Sequence, residues 1–176
     1  IGLDDSADSL TIGLGSTLGT TSHMIFDANG HITKPLQSCF FVGKSSSATQ
    51  QNIAINSNVT VTFDTEIIDQ NADFASNTFT APVTGRYFLA TNIRINGDSA
   101  ANYYYVRLVT SNREVGTIFD PDFGQDFSYW TLCVSSVVDM DAGDTAHVDI
   151  HQSAGTQQAD IDNNEIWTNF SGYLVA

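Results

Sequence analysis

The sequence predicts an all-β antiparallel sandwich. Three observations carry the prediction. The residue mix is rich in Thr, Ser, Asn, Val, Ile and Phe, with 13 Gly and 3 Pro, which suits strands and turns better than helices. No window holds a sustained apolar stripe at helical period. Roughly nine or ten short apolar runs follow one another at 8–12-residue spacing, separated by polar turns.

Residues 1–37 differ from the rest. Apolar pulses at Leu10–Ile12, Met24–Phe26 and His31–Thr33 alternate with turn signals, and Asp27-Ala28-Asn29-Gly30 reads as a hairpin-type turn. Five glycines and few large side chains cannot build a private core, so order here requires pairing with other copies or a neighbour. A flexible linker is the alternative reading. Lys34-Pro35 marks the boundary, because the residue before proline is pushed to extended geometry.

The second region, 38–176, opens with a strand at Ser38–Val42. Lys44–Asn58 reads as a polar loop with at most a short strand at Ile53–Ile55. In Val59–Phe63 the alternation puts Val59, Val61 and Phe63 on one face. Glu66–Asp69 and Thr78–Thr80 are short strands flanking a polar turn that holds Phe74.

Phe79-Thr-Ala-Pro82-Val-Thr-Gly85-Arg-Tyr87-Phe88 is a turn feeding one long strand. Pro82 cannot donate to a ladder and belongs at a strand edge or start. Gly85 is expected to serve a turn with positive φ. After it, Tyr87, Leu89, Thr91, Ile93 and Ile95 share a face at period two. Further strands are read at Tyr103–Val109, Glu114–Phe119, Phe127–Asp139 and Thr145–His151, with a closing strand over Glu165–Ala176. Cys39 and Cys133 both sit in apolar runs. Two buried free thiols is the simpler reading, and one disulfide the other.

The formal net charge of −14 repels polyanions, so nucleic acid is set aside as a partner. No apolar run approaches the length of a membrane-spanning helix. The N-terminus has neither the basic nor the apolar region of a signal peptide, and the missing initiator Met fits a processed chain or a piece of a longer one.

Four separated pieces resemble the C1q/TNF-like jelly-roll family in order. They are Val61-Thr62-Phe63 with Asn71, Phe74 and Phe79; the Phe79, Pro82, Gly85, Tyr87, Leu89 turn-and-strand, with Leu89 where Phe is more usual; Gly143-Asp144 before an alternating strand; and Phe170-Ser171-Gly172-Tyr173-Leu174. The resemblance covers about residues 38–176 and implies a ten-stranded antiparallel jelly roll that assembles as a homotrimer, with edges managed by two Greek keys. Phe79, Pro82, Gly85, Tyr87, Phe170, Gly172 and Leu174 then carry the fold. No Gly-X-Y repeat precedes the domain. Instead, Ala-Asp-Ser-Leu-Thr-Ile-Gly and Phe-Asp-Ala-Asn-Gly-His-Ile-Thr-Lys-Pro resemble the β-structured connectors of marine bacteriophage fibres and appendages.

That combination implies a non-enzymatic structural and adhesion protein on the virion surface. It would be a trimeric fibre or appendage tip whose residues 1–37 intertwine and join other virion proteins, and whose head meets a host surface glycan or protein. The alternatives are a head fibre or decoration protein without a receptor role, and a secreted bacterial binding module. A depolymerase is the enzymatic rival; it lacks a recognisable acidic pair.

In the closing strand, Thr168, Phe170, Gly172 and Leu174 take the core parity, and Trp167, Asn169, Tyr173 and Val175 face outward. The resemblance implies that this face lies near the trimer axis, and contiguous outward apolar groups mark interfaces, so Phe40, Trp167, Tyr173 and Val175 are assigned to the trimer interface, a sandwich-core role being the alternative. His147 and His151 lie about 13 Å apart at strand period, too far to share an ion, and read as solvent-facing. Asp120, Asp122 and Asp126 offer oxygens suited to calcium, which some relatives bind, with Asp160 and Asp162 a second such pair. The first cluster lacks EF-hand spacing, so no metal or other cofactor is assigned. Receptor contact is expected on the loops 96–102, 112–116, 120–126 and 153–164.

Overall fold

The structure is a computed structural model that describes residues 1–4, 8–17, 19–48 and 50–176, with backbone only for residues 2–4. The chain forms two compact units, Ile1–Ser38 and Cys39–Ala176.

The first unit is an antiparallel meander of β1 (Gly2–Asp4), β2 (Ser9–Leu14), β3 (Thr21–Phe26) and β4 (Ile32–Thr33). The β3–β4 turn is locked by Asp27. Its Oδ1 accepts from the backbone N–H of Asn29 and of His31, its Oδ2 lies 2.8 Å from His31 Nδ1, and Gly30 takes a φ of 85°. The His31 side-chain contact, with the backbone N–H groups, holds the Asp27 carboxyl below its ordinary pKa. Among the described residues up to Gln37 only Thr11 is buried, and Leu14 and Ile32 are exposed.

The second unit is a two-sheet sandwich. Its strands are β5 (Cys39–Gly43), β6 (Asn58–Thr60), β7 (Thr65–Gln70), β8 (Phe74–Ala75), β9 (Thr78–Thr80), β10 (Gly85–Gly97), β11 (Tyr103–Thr110), β12 (Glu114–Phe119), β13 (Phe127–Met140), β14 (Thr145–Ser153), β15 (Asp160–Ile161) and β16 (Asn169–Leu174). One sheet runs β13-β10-β16-β5-β7, with β15 on the end of β10. The other runs β12-β11-β14-β9-β8, with β6 on β14. The pairings among these named strands are antiparallel, and the two sheets exchange strands as a jelly roll does.

The core lies between the sheets. β10 supplies Tyr87, Leu89, Thr91, Ile93 and Ile95, all buried, at the period-two parity expected. Phe40 sits at the centre of an aromatic cluster, 4.7 Å from Phe79, 4.9 Å from Phe170 and 5.4 Å from Phe74 between ring centroids. This corrects the assignment of Phe40 to a subunit interface. Its register partner is Gly172, on the inner parity of β16, and the side chain that β5 turns outward is its neighbour Phe41, opposite Ser171.

The expectation for Gly85 is also corrected. It does not have positive φ. It opens β10 where the C-terminus passes, and a Cβ there would stand 2.7 Å from the Ala176 carbonyl oxygen and 2.8 Å from Leu174 Cδ1. Gly172 is needed for a similar reason: a Cβ would stand 2.6 Å from Leu89 Cδ2 and 2.8 Å from Phe40 Cε1. The closing strand begins at Asn169, because Asn164–Thr168 form a turn in which the N–H groups of Trp167 and Thr168 both donate to the Asn164 carbonyl.

Both thiols are free. Cys39 is half-buried, but Cys133 is exposed, contrary to the expected burial. In β13 the inner parity belongs to Leu132 and Val134, which turns Cys133 outward.

Candidate functional site

Registers across the first sheet define its outer face. One row reads Val137–Phe88–Tyr173–Cys39–Gln70 and the next Ser135–Ala90–Ser171–Phe41–Ile68. Tyr173 and Val175 are each 47% exposed and Val137 53%, and Phe88 packs 5.5 Å from Tyr173. These residues gather at the end of the sandwich where Cys39 enters and Ala176 leaves. Further along the strands the face turns polar, through Asn92, Asn169 and Arg94. Large apolar groups concentrated on a sheet face are the mark of a surface that another chain covers.

Trp167 does not join that cluster. It precedes β16 and lies against Arg94, whose guanidinium carbon is 4.7 Å from the Trp167 ring and 4.8 Å from the Tyr129 ring. Arg94 also pairs with Asp162 at 2.5 Å, both side chains being about four-fifths covered. A cation held between two rings and a carboxylate is fixed in place.

That fixed group borders a cleft of about 530 Å³ at the opposite end of the sandwich from Cys39. Three of the four loops expected to carry recognition meet there: 96–102, 120–126 and 153–164. The fourth, 112–116, turns at the other end, where Asn112 donates to the Asp139 carbonyl and to Asp144.

The cleft loops are joined by Asp98, which is 3% exposed. Its carboxylate accepts from the backbone N–H groups of Ala100, Thr156 and Gln157 and from the Thr156 hydroxyl. Burial alone would raise its pKa, but these donors outweigh burial and hold it below the ordinary value. Tyr104 completes the staple. Its hydroxyl accepts from Asp98 N and donates to the Asp98 carbonyl, and burial, with the nearby Asp98 and Asp126 charges, pushes its pKa up to about 12. Asp126 accepts from Ser99 N and Oγ and from Gln157 Nε2.

The remaining candidates have separate places. Asp120 and Asp122 are exposed, and among the described residues no three His, Cys, Asp or Glu side chains converge as cation ligands. His147 and His151 lie on the outer face of the second sheet with different partners. His147 Nε2 is 3.3 Å from Asp149, and His151 stacks on Tyr105 at 4.7 Å, where burial lowers its pKa. Lys44, read as loop, is buried to 1% exposure with its Nζ donating to Thr62 Oγ1, and desolvation lowers its pKa.

The family model for the C1q domain matches residues 39–175. The chain belongs to the C1q domain family, whose members are trimeric binding modules of jelly-roll fold. The globular domain of zebrafish complement 1qA is similar at 19% identity, with a TM-score of 0.55 over 80% of this chain and 98% of that one. Murine APRIL is similar at 12% identity, with a TM-score of 0.56 over 79% of this chain and 99% of that one. At these identities the likeness is one of fold. No curated protein sequence matches the chain.

Proposed function

We propose that this chain is a virion structural protein. It forms a homotrimeric, non-enzymatic head on a fibre or appendage and binds the host cell surface. The observation that carries this reading is the division of the head into two ends. Tyr173, Val175, Val137 and Phe41 make an apolar face near the end where the chain enters, which suits burial against two further copies. The stapled cleft stands at the end remote from entry, where it can meet a partner.

Residues 1–37 would intertwine among the three chains and contact other virion proteins. In support, the meander has almost no buried side chains of its own among its described residues. Three sites on one rigid head gain avidity without any one site being tight.

The test is retention of the labelled protein on a panel of bacterial isolates, measured by flow cytometry beside a monomeric variant. Selective retention of the trimer, lost in the monomer, is the expected result. Retention on no isolate would favour a decoration protein without a receptor role.

A further inference from the structure

We propose that the end cleft binds a single sugar residue that carries no negative charge, stacked on Tyr129 and hydrogen-bonded to Asn96, Gln158 and Asp160. The proposal rests on the host-surface reading and names the chemistry that the cleft would recognise. Three features lead to it.

The first is the size and lining. About 530 Å³ accommodates a small ligand, and the walls combine an aromatic ring with amide and carboxylate side chains. A pyranose presents the same mixture, an apolar C–H face and a rim of hydroxyl donors.

The second is Tyr129. The residue is 70% exposed, yet its ring does not swing freely, because Arg94 lies against it and is itself held by Asp162 and Trp167. An open aromatic face on a rigid support is a stacking platform that loses little freedom on binding.

The third is charge. Asp98, Asp126, Asp160 and Asp162 line the cleft, and at its border Arg94 is paired with Asp162. Most of these carboxylates serve the protein itself: Asp98 staples the loops, Asp126 holds Ser99 and Asp160 Oδ1 accepts from Asn52 N. The remaining field is negative, which favours hydroxyl or ammonium donors and repels uronate, sialate and phosphate groups.

The test uses the full chain and three probes: the methyl glycosides of glucose, glucosamine and glucuronic acid, titrated by protein-observed NMR. The neutral and cationic glycosides are expected to shift Tyr129 and Asn96 resonances, and the glucuronide to leave them unmoved. Tyr129→Ala weakens binding by about tenfold or more, and Tyr129→Phe, which keeps the stacking face, retains it. Asp160→Asn keeps the acceptor to Asn52 N and leaves the fold intact while removing charge, so it narrows the preference for glucosamine over glucose. Equal binding of the glucuronide, binding insensitive to Tyr129→Ala, or no binding of any glycoside would overturn the proposal. Cell retention is read separately. Retention unchanged by Tyr129→Ala leaves the adhesion reading standing without this cleft; glycoside binding without cell retention does the reverse.

Discussion

Phe40 and Phe41 are adjacent in sequence and opposite in role, and a pair of substitutions separates the roles. Phe40 is 1% exposed and makes three ring contacts inside the sandwich. Phe40→Ala removes those contacts and leaves a cavity in a core that cannot collapse around it, because Gly172 opposite has no side chain to offer. The cost is about 3–5 kcal/mol. For a domain of this size that lowers the melting temperature by ~10–15 °C. Since the loss is internal to each chain, the shift is the same at low and high protein concentration. Phe41→Ser has the opposite signature. The isolated fold loses ~1 kcal/mol or less, but the rise of melting temperature with protein concentration, which an assembling protein shows by mass action, shrinks. Differential scanning fluorimetry over a hundredfold concentration range reads both. A Phe40→Ala shift that vanished at high concentration would place Phe40 between subunits and refute the reasoning.

Four further outcomes follow from the same geometry. Gly172→Ala drives a Cβ into Leu89 and Phe40 and is expected to destabilise the head by about 1–3 kcal/mol, read as a lower urea midpoint. Tyr173→Asp places a charge on the apolar face; Tyr173 is 47% exposed, so covering the rest would bury ~100 Å² worth ~2–3 kcal/mol per chain, and the variant should sediment as a smaller species. Tyr104 has its pKa raised to about 12, so its contribution is full below the ordinary tyrosine pKa of about 10 and is lost as pH rises from there through 12; urea midpoints should fall over that window, less so in Tyr104→Phe. Asp98 has its pKa depressed, so its contribution is present above the ordinary carboxylate pKa and is lost as pH falls through the lower folded value; the hydrogen-exchange protection factors of Thr156 and Gln157, taken against the intrinsic rate at each pH, should fall on acidification.

The strand parity of β10 was legible because a half-buried strand writes its burial directly as alternation, and Tyr87 to Ile95 obeys it. The outward placement of Tyr173 and Val175 was legible for the same reason. Phe40-Phe41 was not, since two like residues in succession carry no alternation and only the pairing with Gly172 decides which one points inward. Gly85 announced a constraint but not its kind. A close approach by the C-terminus, from the far end of the domain sequence, leaves no local trace.

The loops that form the cleft could be named but not sorted. Asp98, Asp126 and Gln157 meet only because β10, β13 and β15 end together, which is a property of long-range register. The buried Lys44 was missed because its surroundings, Ser45 to Gln51, read as polar surface. The Arg94 sandwich likewise draws Tyr129, Asp162 and Trp167 from three separate segments.

The central claim is that the apolar face exists to be covered by two further copies of the chain. The mass of the purified chain in solution, measured by light scattering on a sizing column, tests it most directly. The account predicts a stable species of three times the 19.0 kDa of one chain, which persists on dilution and dissociates in Tyr173→Asp. A wild-type protein that elutes at the mass of one chain, with Tyr173 and Val137 open to solvent, would contradict it.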